Sequence, residues 1–113
     1  MITIFHNSRC PYCREALYFV QKICKRDDRL LEIIDYRLTM PQLSALQKKL
    51  GKAGGQIIRI NDAKYKKMNL SGVRNAVMLQ AIVDNPHLLQ RPIVAFQNRA
   101  VMARPADLVD TLF

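Results

Sequence analysis

Two thiols stand three residues apart in Cys10-Pro11-Tyr12-Cys13. That spacing suits redox chemistry. One sulfur attacks, and the other sits one helical turn away, close enough to trap a mixed disulfide on the first. Pro11 suits the first turn of a helix, where its missing N–H costs nothing. Cys10 would therefore sit at a helix start, where unpaired N–H groups and the helix dipole stabilise a thiolate. A cysteine so placed can ionise well below the free value of about 8.5. Arg9 and Arg14 add positive charge nearby. His6, Cys10 and Cys13 offer three metal-ligand side chains, but no second ligand pair follows at finger-like spacing, so no metal site is expected. His6 either orients the Cys10 loop or is a satisfied strand-end histidine. Cys24, on the apolar face of the same helix, reads as a core thiol.

Three arginines stand apart from the lysine runs. Arg59 lies inside Ile57-Ile58-Arg59-Ile60, and Arg91 and Arg104 each precede a proline. A guanidinium presents a rigid fork of donors matched to oxyanions. By pattern alone the three either share one oxyanion or are ordinary surface arginines. The basic stretches 48–52 and 64–67 read as solvated helix faces, and His87 reads as a helix-end residue.

Elements that position these groups are legible in the spacing. Ile2 to Phe5 reads as a buried strand. A helix follows from Pro11 to the polar cluster 25–29, with Leu17, Val20 and Cys24 repeating at helical intervals. Leu31 to Tyr36 reads as a second strand. Thr39 with Gln42 forms a capping box for a helix striped by Leu43, Leu46 and Leu50 and ended by Gly51. Gln56 to Ile60 and Ala63 to Met68 read as short helical pieces. Ser71 caps a helix running to Val83, stopped by Asn85-Pro86. Ile93 to Phe96 and Ala100 to Met102 form a hairpin about Gln97-Asn98-Arg99. Pro105 opens a final helix carrying Leu108, Val109 and Leu112. An early βαβ unit, a helical middle and a late hairpin imply an α/β fold, a mixed sheet with helices on its faces.

Composition bounds the function. The chain has 113 residues, half of them hydrophobic, enough for one domain with its own core. Three cysteines, an odd number, with no visible secretion signal argue against a disulfide scaffold. No apolar run approaches the ~20 residues of a membrane span, so the expected location is the cytoplasm. The net charge of +9 attracts anions. Nucleic acid is the weakest candidate among them, since the chain has no Trp, few aromatics and no recognisable nucleic-acid motif.

The chain resembles the arsenate reductases that use glutathione and glutaredoxin. The resemblance rests on His6-Asn7-Ser8-Arg9-Cys10, on Arg59 followed by Asn61 and Tyr65, on Asn85-Pro86 leading to Arg91-Pro92-Ile93-Val94, and on Arg104-Pro105. It implies a thioredoxin/glutaredoxin-like fold with a helical insertion over about 39–85, within a single domain spanning 1–113. It implies that Cys10 is the nucleophile, that Arg59, Arg91 and Arg104 bind the oxyanion, and that Arg91-Pro92 is the cis-proline position. The expected substrate is arsenate or a related oxyanion, with glutathione as co-substrate, glutaredoxin or thioredoxin as reductant, and no bound cofactor. Two departures stand out: Cys13 replaces a serine of the simpler family pattern, and Ser8 a proline. Cys13 resembles the resolving half of a glutaredoxin motif, and the same pair occurs in the Spx-type transcription regulators. The alternatives are therefore a relative acting on another thiol or disulfide, or a redox switch without turnover. Keeping all three arginines favours the enzyme.

Overall fold

A computed structural model describes all residues 1–113. Four strands, β1 (Ile2–His6), β2 (Leu31–Asp35), β3 (Ile93–Phe96) and β4 (Arg99–Met102), form one sheet in the order β2-β1-β3-β4. β1 and β2 run parallel, joined by helix α1 (Pro11–Asp27); β3 is antiparallel to both β1 and β4. Between β2 and β3 lie α2 (Met40–Leu50), α3 (Ala63–Lys67) and α4 (Asn75–Asp84), with short 3-10 helices at Gly51–Gln56 and Pro86–Leu88. No helix is long and apolar enough to cross a membrane.

Strand alternation divides the core between the two faces of the sheet. Ile2 and Ile4 of β1 and Val94 of β3 face α1 and the C-terminal 3-10 helix (Ala106–Leu112), packing with Ala16, Val20, Ile23 and Val109. Phe5, Ile93 and Ala95 point the other way, onto Leu43, Leu46, Leu50, Leu79 and Leu88. The register agrees, pairing Ile4 with Val94 and Phe5 with Ile93. Each fully buried Ile or Leu contributes about 1.5–3 kcal/mol relative to exposure. This packing holds the C-terminal end of β1, and the loop after it, in a fixed place. Cys24 is buried in the α1 layer, as its position on the apolar stripe suggested.

The helix ends follow their local chemistry. Thr39 and Gln42 close the capping box of α2, the Thr39 N–H donating to Gln42 Oε1 at 2.9 Å and the Gln42 N–H to Thr39 Oγ1 at 3.4 Å. Gly51 ends the helix at φ 59°, a left-handed conformation that costs glycine least. Lys25 and Arg26 lie in the last turn of α1, where cations complement the dipole.

Four expected elements differ. Ser71 caps nothing: Gly72 takes φ 77° and turns the chain, so α4 starts at Asn75. That start is held instead by reciprocal amide hydrogen bonds between Asn75 and Gln47 of α2, at 2.8 and 2.9 Å. Residues 57–60 are not helical. Ile58 forms an antiparallel bridge with Leu89, the Arg59 N–H donating to Leu88 O at 2.7 Å and the Gln90 N–H to Ile57 O at 2.8 Å. Pairing with a distant segment overrides the local preference here. The last helix is 3-10 in form, and its N-cap is Pro105. The hairpin turn is also tighter than expected, since Arg99 already belongs to β4.

Candidate active site

The loop after β1 is built to place a sulfur at a helix start. The Asn7 side chain accepts from the Arg9 N–H at 3.0 Å, and Asn7 O accepts from the Cys10 N–H at 3.0 Å. Arg14 reaches back from α1 and donates to Ser8 O at 3.0 Å, clipping the loop to the helix. Cys10 is thereby the N-cap of α1, with Pro11 behind it.

Burial opposes ionisation of Cys10 and is the largest single influence on it. Several donors together outweigh it and hold the pKa below the ordinary thiol value: the Cys13 N–H, the Cys13 thiol, the Arg91 guanidinium and the Tyr12 N–H. No side-chain cap hydrogen bond closes on the neutral sulfur; a thiolate is the stronger acceptor for the same amides. Cys13 behaves oppositely. Its side chain is fully buried, and desolvation, with the neighbouring Cys10, pushes its pKa up to about 11 against the favourable Asn7 backbone and Arg91 charge. The two thiols thus differ in role before any substrate arrives. Cys10 is the thiol that ionises more readily, and Cys13 the one that holds its proton.

This asymmetry has a direct readout. With iodoacetamide, the alkylation rate of Cys10 is expected to rise with pH to a midpoint below that of the same thiol in the unfolded chain. Cys13 is expected to follow only near pH 11. Peptide mass spectrometry across the pH series separates the two, and coincident midpoints would contradict the assignment.

Cys10 opens into a cleft of about 290 Å³ shared with Asn7, Arg9, Tyr12, Arg59, Arg91 and Arg104. Three chain segments deliver the arginine trio. Arg59 arrives on the bridge to Leu89, and Arg91 and Arg104 precede Pro92 and Pro105, both in cis peptide bonds. The His87 carbonyl accepts from both Arg59 Nη1 at 3.3 Å and Arg91 Nη1 at 3.2 Å. The Arg104 guanidinium stacks 3.5 Å above the centre of the Tyr12 ring, and that of Arg91 lies 5.6 Å from the centre of the Tyr36 ring. No carboxylate lines the cleft, so the charges of Arg9, Arg59, Arg91 and Arg104 share it uncompensated. Such an arrangement attracts a small oxyanion and holds it beside a nucleophilic sulfur.

Other expected site residues lie outside this cleft. His6 is half-buried and borders a neighbouring cavity, with Nδ1 buried and unpartnered. Its pKa is lowered by burial and then by the Arg14 charge, which favours neutral imidazole. Arg14 donates to Ser8 O in the Cys10 loop, and its charge acts on His6. Pro92 is buried behind Arg91. Sequence reasoning missed the holders of the arginines: Tyr12, Tyr36 and the His87 carbonyl. Tyr12 was visible inside the Cys-x-x-Cys motif, whereas nothing local marked Tyr36 or a backbone oxygen.

The model of the ArsC family matches residues 5–112. An arsenate reductase from Neisseria meningitidis serogroup A is 35% identical over 98% of this chain and 97% of its own length. The solved structure of an arsenate reductase from Vibrio cholerae superposes with a TM-score of 0.83 at 25% identity, covering 99% of this chain and 97% of that one. The global transcriptional regulator Spx of Staphylococcus saprophyticus is 30% identical over 88% of this chain and 76% of its own length. The thioredoxin-like mixed sheet, the thiol at the head of α1 and a family match across nearly the whole chain lead to one conclusion: this protein is a member of the ArsC family.

Proposed function

We propose that the protein reduces arsenate to arsenite, with Cys10 as nucleophile and glutathione, backed by glutaredoxin, as electron source. The observation that carries this reading is the convergence of Arg59, Arg91 and Arg104 on the Cys10 cleft. Arsenate is a tetrahedral oxyanion, and three guanidinium forks neutralise and orient it.

The chemistry follows from charge and electron count. The Cys10 thiolate forms a bond to arsenic, and one arsenate oxygen leaves as water after taking up protons. The arginines hold the remaining oxygens while charge redistributes. A second thiolate then attacks the Cys10 sulfur. The sulfur–arsenic bond breaks, its electron pair passes to arsenic, and As(V) becomes As(III). Arsenite leaves, and Cys10 remains as a disulfide with the attacking thiol. A further thiol releases it. Two electrons move in total, supplied by two thiols that end as one disulfide.

Cys13 offers an internal route for the second attack. Its pKa is high partly because the Cys10 sulfur beside it carries charge and hydrogen-bonds to it. Once Cys10 is bonded to arsenic its sulfur no longer carries a thiolate charge, which eases proton loss from Cys13 while desolvation still opposes it. The resulting Cys10–Cys13 disulfide is also what a redox switch would use, and the thiol pair is the observation favouring that second reading.

The test is arsenate-dependent NADPH oxidation. The wild-type chain is supplied in parallel with glutathione, glutaredoxin and glutathione reductase, or with thioredoxin and its reductase. Turnover with the first system is the expected result. Turnover with thioredoxin alone, lost in Cys13→Ser, would move the proposal to the internal disulfide. A reactive Cys10 with no turnover in either system would favour the switch.

A further inference from the structure

The reduction needs a second sulfur beside Cys10, and the reaction cleft is too small to hold both an oxyanion and the body of a thiol co-substrate. It measures about 290 Å³, at the lower limit of ligand pockets in general. Next to it, sharing Asn7 and Arg9 as a common wall, lies a second open cavity of about 560 Å³. Its far side is formed by Ile33, Asp35, Tyr36 and Arg37, at the end of the edge strand β2.

The chemistry of this wall is selective. Asp35 and Arg37 form a two-pronged ion pair, Nε to Oδ1 at 2.8 Å and Nη2 to Oδ2 at 3.0 Å, and the Arg37 N–H also donates to Asp35 Oδ1 at 2.9 Å. That contact holds the Asp35 carboxyl below its usual range. A carboxylate beside a guanidinium is complementary to an α-amino acid end, whose ammonium would share Asp35 and whose carboxylate would share Arg37 with their mutual ion pair. Arg9, on the shared wall, is placed for a second carboxylate. Arg9 and Arg37 against Asp35 leave one net positive charge, and a tripeptide thiol with one ammonium and two carboxylates carries one net negative charge.

The cleft widens on its opposite flank too, toward Asn61, Asp62 and Gln90, but there it is walled by Arg59 and Arg104. A carboxylate bound on that side would compete with the oxyanion for the same guanidiniums. The β2 side leaves the trio free.

We propose that the cavity between the Cys10 loop and the end of β2 binds the small thiol co-substrate, a glutathione-class zwitterion, with Asp35 and Arg37 taking its amino-acid end. Bound there, the thiol approaches the Cys10 sulfur across Asn7 and Arg9 while the oxyanion occupies the arginine side. The assignment rests on the reductase reading above and locates its electron donor.

The test uses S-methylglutathione, which keeps every charge of glutathione but cannot exchange with sulfur. Reduced full-length protein is titrated calorimetrically, with amide shifts recorded in parallel. Shifts are expected at Asn7, Arg9 and residues 35–37. Arg37→Glu is expected to weaken binding at least about tenfold and to raise the KM for glutathione by a similar factor, leaving the KM for arsenate unchanged. Asp35 and Arg37 are exposed by 53% and 68%, so a folded variant is expected; thermal melting checks it. Equal affinity in Arg37→Glu, shifts centred on Asn61 and Gln90, or no binding by the wild type would each overturn the site. Binding here without arsenate turnover would retire the reductase reading and leave the thiol site standing. Turnover with an unchanged glutathione KM in Arg37→Glu would do the reverse.

Discussion

Cys10→Ser is expected to lower arsenate turnover at least about 10³-fold, to the background of the coupled assay. The size of the loss follows from electron count as well as nucleophilicity. A serine oxygen can in principle bond to arsenic, but it cannot end in a disulfide, so the pair that converts As(V) to As(III) has no source. The variant is expected to keep arsenate binding, because Arg59, Arg91 and Arg104 are untouched and line the cleft independently of the sulfur. Calorimetric titration with arsenate reads that directly. Lost turnover with retained binding is the signature of a nucleophile. If Cys10→Ser kept a tenth or more of wild-type activity, attack would have to come from elsewhere. Cys13, fully buried and held as a thiol near pKa 11, is a poor substitute.

Arg91→Ala is expected to cost about 10²–10³-fold in kcat/KM, the usual scale for removing one preorganised donor from a developing negative charge. Arg91 serves twice: it lines the Cys10 cleft, and its guanidinium is among the groups that hold the Cys10 pKa down. The same variant is therefore expected to move the alkylation midpoint of Cys10 upward, a change that a purely structural residue would not produce. Arg91→Lys restores the charge without the fork and is expected to recover the midpoint better than the turnover. A smaller effect belongs to Tyr12, whose ring carries Arg104 at 3.5 Å. A cation–π contact is worth about 0.5–2 kcal/mol, so Tyr12→Ala is expected to raise the arsenate KM by about two- to thirtyfold. Tyr12→Phe keeps the ring and is expected to behave as the wild type. Equal losses in both Tyr12 variants would point to the hydroxyl instead of the stacking.

Much of the frame was legible because local patterns and tertiary needs agree along most of the chain. Ile2 and Ile4 against Phe5 alternate as a strand buried on both faces must, and the stripe of Leu43, Leu46 and Leu50 can form only one buried helix face. Thr39 and Gln42 satisfy each other within four residues and depend on nothing distant. The failures fall where a distant partner wins. Residues 57–60 pair with the segment about Leu89, and α4 starts where Gln47 can reach Asn75. No window of sequence contains both halves of those contacts.

The site divides the same way. The sequence by itself determined a thiol at the head of a helix, because Cys10 and Pro11 are neighbours and the effect of helix-start amides is local. It also marked Arg59 among apolar neighbours and Arg91 and Arg104 before prolines, and the order of strands and helices. Only the tertiary structure decided that the three arginines meet. Arg59 lies 49 residues along the chain from Cys10 and Arg104 lies 94, and their convergence depends on a bridge, two X-Pro turns, one shared carbonyl and one aromatic ring. The tertiary structure also separated the two thiols. Cys10 and Cys13 are the same residue type one turn apart, and burial, which no local pattern reports, makes one ready to lose its proton and the other slow to do so.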